Sequence, residues 1–121
     1  MNSLYPRFSE AEFSRRYEAV RQAMGEADLS ALVLYSTTSA YNEVLYLSNF
    51  ITSREAFLVF PGEGEPTLFV QYFNHVPNAR KVASIGDVRW GGPDTVATVA
   101  ENLRERGLAA SRIGLVLSLI H

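Results

Sequence analysis

The sequence predicts an α/β domain: three layers, α/β/α, around a mixed sheet of about five to six strands that includes an antiparallel hairpin. Three observations predict it. Helical and strand-like patterns alternate in the order helix, strand, short helix, hairpin, helix, strand, helix, strand. The runs 31–35 and 56–60 are apolar at successive positions, as strands covered on both faces are. Finally, the second strand joins the third through the turn cluster Pro61-Gly62-Glu63-Gly64-Glu65-Pro66, which makes a hairpin and argues against a purely parallel Rossmann sheet.

Length and composition set the bounds. With 121 residues the chain fits one domain, residues 1–121, burying roughly two thirds of its unfolded surface. A net charge of −2 with scattered cations leaves no electrostatic footprint for nucleic acid. The absence of cysteine removes disulfide and thiol chemistry and leaves histidine and carboxylates as metal ligands. Met1 to Phe8 lacks the cationic start and apolar run of a signal peptide, and no apolar segment approaches the ~20 residues that cross a bilayer. A cytoplasmic protein without a membrane or nucleic-acid partner is expected.

Each element has its own signal. Ser9 caps the first helix, with Glu12 three residues on to complete a capping box and Phe8 placed to staple onto Phe13. Phe13, Tyr17, Val20 and Met24 form its buried face, Arg15, Arg16 and Arg21 its solvated side, and Gly25 its stop. The strand through Tyr35 ends in the hydroxyl run Ser36-Thr37-Thr38-Ser39, any of which can cap the helix that follows. That helix carries the central stretch, where Tyr46, Leu47 and Phe50 are apolar anchors around the turn residues Ser48 and Asn49. Arg54 then stands alone before the strand Ala56 to Phe60, and Thr67 to Tyr72 forms the hairpin partner. Val76, Ala79 and Val82 have helical spacing, with Pro77 in the first turn. Asp87 to Trp90 is a short strand. Pro93 and Asp94 open a helix with Val96, Val99, Ala100 and Leu103 on its apolar face, ended by Gly107. Arg112 to Leu117 is the last strand.

Catalytic patterns are missing. His75 and His121 are far apart, and neither has a partner at ligand spacing. There is no nucleophile elbow, zinc-binding helix, phosphate loop or dinucleotide fingerprint. Glu63 and Glu65 are close, but they occupy a Gly/Pro turn with nothing apolar to shift a pKa. Glu43, Glu55 and Arg54 form at most a surface charge cluster.

The ordered elements around Tyr46-Leu47-Ser48-Asn49-Phe50, together with the Arg112-Ile113-Gly114 strand start, resemble the N-terminal domain of the creatinase/prolidase (pita-bread, Xaa-Pro peptidase) family. The resemblance covers about residues 8 to 116, with Asn49 where a glycine is usual. It implies an accessory role, in dimerisation and in covering an active site, within a metal-dependent Xaa-Pro dipeptidase or aminopeptidase. It also implies a pita-bread catalytic domain beyond His121 that carries a divalent metal pair (Mn, Co or Zn), so no catalytic residue and no metal ligand carries over to this chain. Arg54 matches a substrate-contacting arginine of creatinase-like members, with Phe50 close by. A guanidinium suits that task because its planar fork binds a carboxylate bidentately. The resemblance is compatible with two alternatives: a creatinase-like C–N hydrolase or lyase, and a non-catalytic protein-binding module.

Overall fold

The computed structural model describes residues 8–52 and 54–117. Helix α1 (Glu10–Glu26) leads to β1 (Ala31–Thr37), α2 (Asn42–Ser48), the hairpin β2 (Glu55–Pro61) and β3 (Thr67–Val70), a 3₁₀ turn (Phe73–His75) and α3 (Val76–Val82). β4 (Val88–Trp90), α4 (Thr95–Glu105) and β5 (Ile113–Leu117) complete the order, which is the alternation expected from the sequence. The strands form one mixed sheet in the order β4-β3-β2-β1-β5. β1 and β2 are antiparallel, as are β2 and β3, while β5 runs parallel to β1 and β4 parallel to β3.

The registers pair Leu34 with Leu58, Leu58 with Leu68, Leu68 with Val88 and Leu34 with Val116. Side chains alternate along a strand, so these paired even-numbered residues point to one face. That face packs under α1, α2 and α3, where Met24, Val44, Leu47, Phe50, Val76 and Ala79 meet Ala56, Leu58, Phe60 and Val70 in the main core. The odd-numbered residues Val33, Val59 and Phe69 face the other way, onto Val99 and Leu103 of α4.

The two faces are unequally covered. Five strands spaced ~4.8 Å apart make a sheet about 19 Å wide, whereas one helix covers about 10 Å. Among the described residues α4 alone lies on the second face, because it is the crossover from one edge strand, β4, to the other, β5. Much of the apolar surface on that side therefore stays open. Leu115 is 65% exposed and Phe73 72% exposed, and Val96, Leu117 and Trp90 are also exposed.

Several local expectations are corrected. Arg16 is buried, not solvated: its guanidinium lies over the rings of Phe8, Phe13 and Tyr46 at 4.5, 5.0 and 4.3 Å. Arg21 reaches from α1 to the hairpin turn, donating to the carbonyls of Pro61 (3.1 Å) and Gly64 (2.6 Å). Glu12 is held by Arg15 and Arg16 while Ser9 Oγ accepts its backbone N–H, so the cap forms and the glutamate side chain goes to the arginines. Helix α1 runs through Gly25 to Glu26, and the positive φ needed to leave it falls on Asp28. Tyr46 is a half-exposed lid over Arg16 and not a core anchor. Val96 points away from the core that Val99 enters. At Gly114 a Cβ would come within 2.7 Å of Leu32 Cδ2 and 2.9 Å of Leu29 Cδ1, so a larger residue there would have to displace those two side-chain ends.

Candidate functional site

The connection from α2 to β2 is fixed from the inside. A seven-residue helix leaves its last four carbonyls without helical partners, and each finds a donor here. Leu45 O accepts from Asn49 N–H (2.8 Å), Tyr46 O from the Arg16 guanidinium (2.7 Å), Leu47 O from the Tyr17 hydroxyl (3.0 Å) and Ser48 O from Ser84 N–H (2.7 Å). Asn49 takes the left-handed conformation (φ 61°) that a glycine would otherwise supply, and its Nδ2 donates to Val82 O at 2.9 Å. Asparagine tolerates that backbone, and its side chain adds a tie to α3 that glycine lacks.

Beyond Asn49 the chain alternates inward and outward. Phe50 is 4% exposed and belongs to the main core; Ile51 is exposed. Thr52 is buried and shares a 2.5 Å hydrogen bond with the buried hydroxyl of Ser36. This is where the hydroxyl run after β1 is used: Ser36 holds the loop, and the cap position of α2 is Tyr41, without a side-chain cap bond. The sequence marked Ser36 only as a candidate cap; its pairing with Thr52 was not visible, because a serine and a threonine 16 residues apart carry no periodic signal.

This scaffold presents Arg54 to solvent just before β2, with its guanidinium carbon 5.9 Å from the centroid of the Tyr72 ring. Tyr72 packs edge-on to His75 at 5.1 Å. His75 occupies the position before α3 without a side-chain cap bond. Phe50 and Arg54 are thus not side by side. The first is enclosed in the core, and the second is on the surface four residues later.

The open second face forms a groove of about 1240 Å³ that includes Tyr35, Glu55, Phe57, Tyr72, Phe73 and Trp90 in its wall, and Arg54 meets it through the Tyr72 ring. The Tyr35 and Phe57 rings pack at 4.8 Å, and Phe73 and Trp90 meet edge-to-face at 5.7 Å. Trp90 Nε1 donates to Gln71 O at 3.0 Å, which fixes the end of β3 to that of β4. The Tyr35 hydroxyl donates to the Glu55 carboxylate, and that bond, with some burial and the nearby negative charge, pushes the phenol up to about 12. Two groups are consequently held as a neutral donor and an acceptor within a mostly apolar wall.

A second polar network closes the opposite end. Arg106 donates to Asn102 Oδ1, Glu65 O and Thr67 Oγ1, each within 2.8 Å, and Thr67 donates to Asp87. Burial opposes ionisation of Asp87. The hydrogen bonds from Arg89 and Thr67 outweigh it and keep the carboxyl below its ordinary range. These groups tie α4 to the hairpin and are structural. Among the described residues no three His, Asp or Glu side chains converge as a metal site. No described helix is long and apolar enough to cross a membrane. His121 lies outside the described residues.

Residues 16–120 match the family model of the creatinase/prolidase N-terminal domain, and the chain belongs to that family. Solved structures agree in fold. A Xaa-Pro aminopeptidase from Streptococcus pyogenes superposes with a TM-score of 0.67 at 16% identity, over 91% of this chain and 94% of that one. The creatinase/prolidase N-terminal domain of an X-Pro dipeptidase from the same organism gives 0.61 at 14% identity, over 84% and 92%. A Xaa-Pro dipeptidase from Bacillus anthracis gives 0.66 at 15% identity, over 88% of this chain but 33% of that one. The chain therefore spans nearly all of the first two structures and a third of the last. No curated protein sequence matches it.

Proposed function

We propose that this chain is the non-catalytic accessory domain of a longer, metal-dependent Xaa-Pro dipeptidase or aminopeptidase. In this reading it contributes to a homodimer and to the cover of an active site whose divalent metals (Mn, Co or Zn) and catalytic groups lie in a separate pita-bread domain. The observation that carries the reading is the uncovered second face of the sheet. A continuous apolar groove between α4 and the β5 edge needs a partner to remove it from water. The family membership supplies the peptidase context, and the Xaa-Pro enzymes with the same fold support the substrate class.

Within this reading Arg54 contacts the substrate carboxylate. It is exposed, it stands on a loop clamped at Asn49, Phe50 and Thr52, and it meets the groove through the Tyr72 ring. Phe50 contributes from beneath, as the core anchor that holds the loop's height. The test is hydrolysis of an Ala-Pro dipeptide by the purified chain and by the longer protein, each with Mn²⁺, Co²⁺ or Zn²⁺. The chain alone is expected to be inactive and the longer protein active. Metal-dependent hydrolysis by the chain alone, tracking its own elution peak, would overturn the proposal.

A further inference from the structure

We propose that Tyr72 is a positioning residue for Arg54, holding its guanidinium in the plane from which it meets a carboxylate; this rests on the substrate-contact reading of Arg54 given above. In the β2–β3 ladder Ala56 pairs with Val70. Continuing that antiparallel register by two residues sets Arg54 opposite Tyr72, two steps beyond the last pair. Cross-strand neighbours at such positions are within reach of each other's side chains, and here the guanidinium carbon lies 5.9 Å from the ring centroid.

The ring itself is held. Tyr72 O accepts from His75 N–H at 3.0 Å, the His75 ring packs edge-on against it at 5.1 Å, and the preceding Gln71 O is taken by Trp90 Nε1 at 3.0 Å. Neither partner is needed by the core: Arg54 is exposed, and Tyr72 is 40% exposed. An exposed arginine carries ~2 kcal/mol of rotamer entropy, so a fixed aromatic face that limits its orientations lowers the cost of binding. A contact between two surface side chains that stabilises neither core is best explained by what it presents outward.

Two measurements test this separately. In the chain itself, the NMR resonance of Arg54 Hε is expected to carry an aromatic ring-current shift that persists in Tyr72→Phe and disappears in both Tyr72→Leu and Tyr72→Thr. An unmoved resonance in the two ring deletions would overturn the proposal whatever Arg54 does. In the longer protein, with Ala-Pro as substrate, Tyr72→Leu is expected to raise KM about two- to fivefold at unchanged kcat. Tyr72→Phe should stay near the parent value, and Tyr72→Leu should add nothing once Arg54→Ala is present. Independent, multiplying effects of the two substitutions would overturn the positioning role while leaving the Arg54 contact standing. An unchanged KM for Arg54→Ala would remove the substrate contact and the role of Tyr72 with it.

Discussion

Arg16 is the side chain that fastens the first helix to the second. Its guanidinium is enclosed by three aromatic rings, pairs with Glu12 at 2.8 Å and donates to Tyr46 O at 2.7 Å. Arg16→Met keeps the stem but strands the Tyr46 carbonyl, and should destabilise the fold by about 2–3 kcal/mol in urea unfolding. Asn49 separates two effects. Asn49→Gly relieves the left-handed backbone but loses the bond to Val82 O, whereas Asn49→Ala loses the bond and strains the backbone. The alanine variant is expected to be the less stable by about 1 kcal/mol. Glu12 is held down to about 2 by its hydrogen bonds to Arg15 and Arg16. A carboxyl depressed on folding stabilises above its unfolded value, 4.5, and that contribution is lost as pH falls towards 2. The difference in thermal midpoint between the parent and Glu12→Gln should therefore shrink across that window. None of these three roles was visible in periodicity alone. Arg16 reads as a solvated residue because its aromatic cover comes partly from Tyr46, 30 positions away, whereas the Ser9 cap gave a local pattern that the structure repeats.

At the scale of elements, order and type were legible because hydrophobic period and turn chemistry agree along the chain. The hairpin follows from its Gly/Pro turn, and α4 from Asp94, whose carboxylate accepts the Ala97 N–H at 3.2 Å. Asp94→Ala should cost about 1 kcal/mol, read as a lower denaturation midpoint with an unchanged slope. What the pattern could not show is which face of the sheet each helix covers. That depends on the strand order, and β4 and β5 end at opposite edges because α4 carries the chain across. The Tyr35–Glu55 bond belongs to this scale, since it joins β1 to β2 on the open face. A phenol raised on folding stabilises fully below its unfolded value, 10.0, and loses that contribution as pH rises towards about 12. In a tyrosinate absorbance titration of the folded chain, Tyr35→Phe should remove a late-ionising step. Removal of an ordinary step would show that the bond does not form.

For the whole molecule, the asymmetry of the two faces organises everything else. Three helices and the main core close one side, while a single crossover helix leaves the other as an aromatic and aliphatic groove that Arg54 meets through Tyr72. Membership of the creatinase/prolidase N-terminal family was legible in the ordered elements around residues 46–50 and in the Arg112-Ile113-Gly114 strand start, where the glycine has a steric reason. The groove was not legible, because its wall is assembled from odd-numbered residues of β1, β2 and β5 that look like ordinary core in sequence. The central claim is that this surface is a docking face and not a site of chemistry. Hydrogen–deuterium exchange, comparing the isolated chain with the proposed longer protein, tests it most directly. The account predicts slower exchange over β5 and the first half of α4 in the longer protein, with α1 unchanged; equal exchange in both forms across β5 and α4 would contradict it.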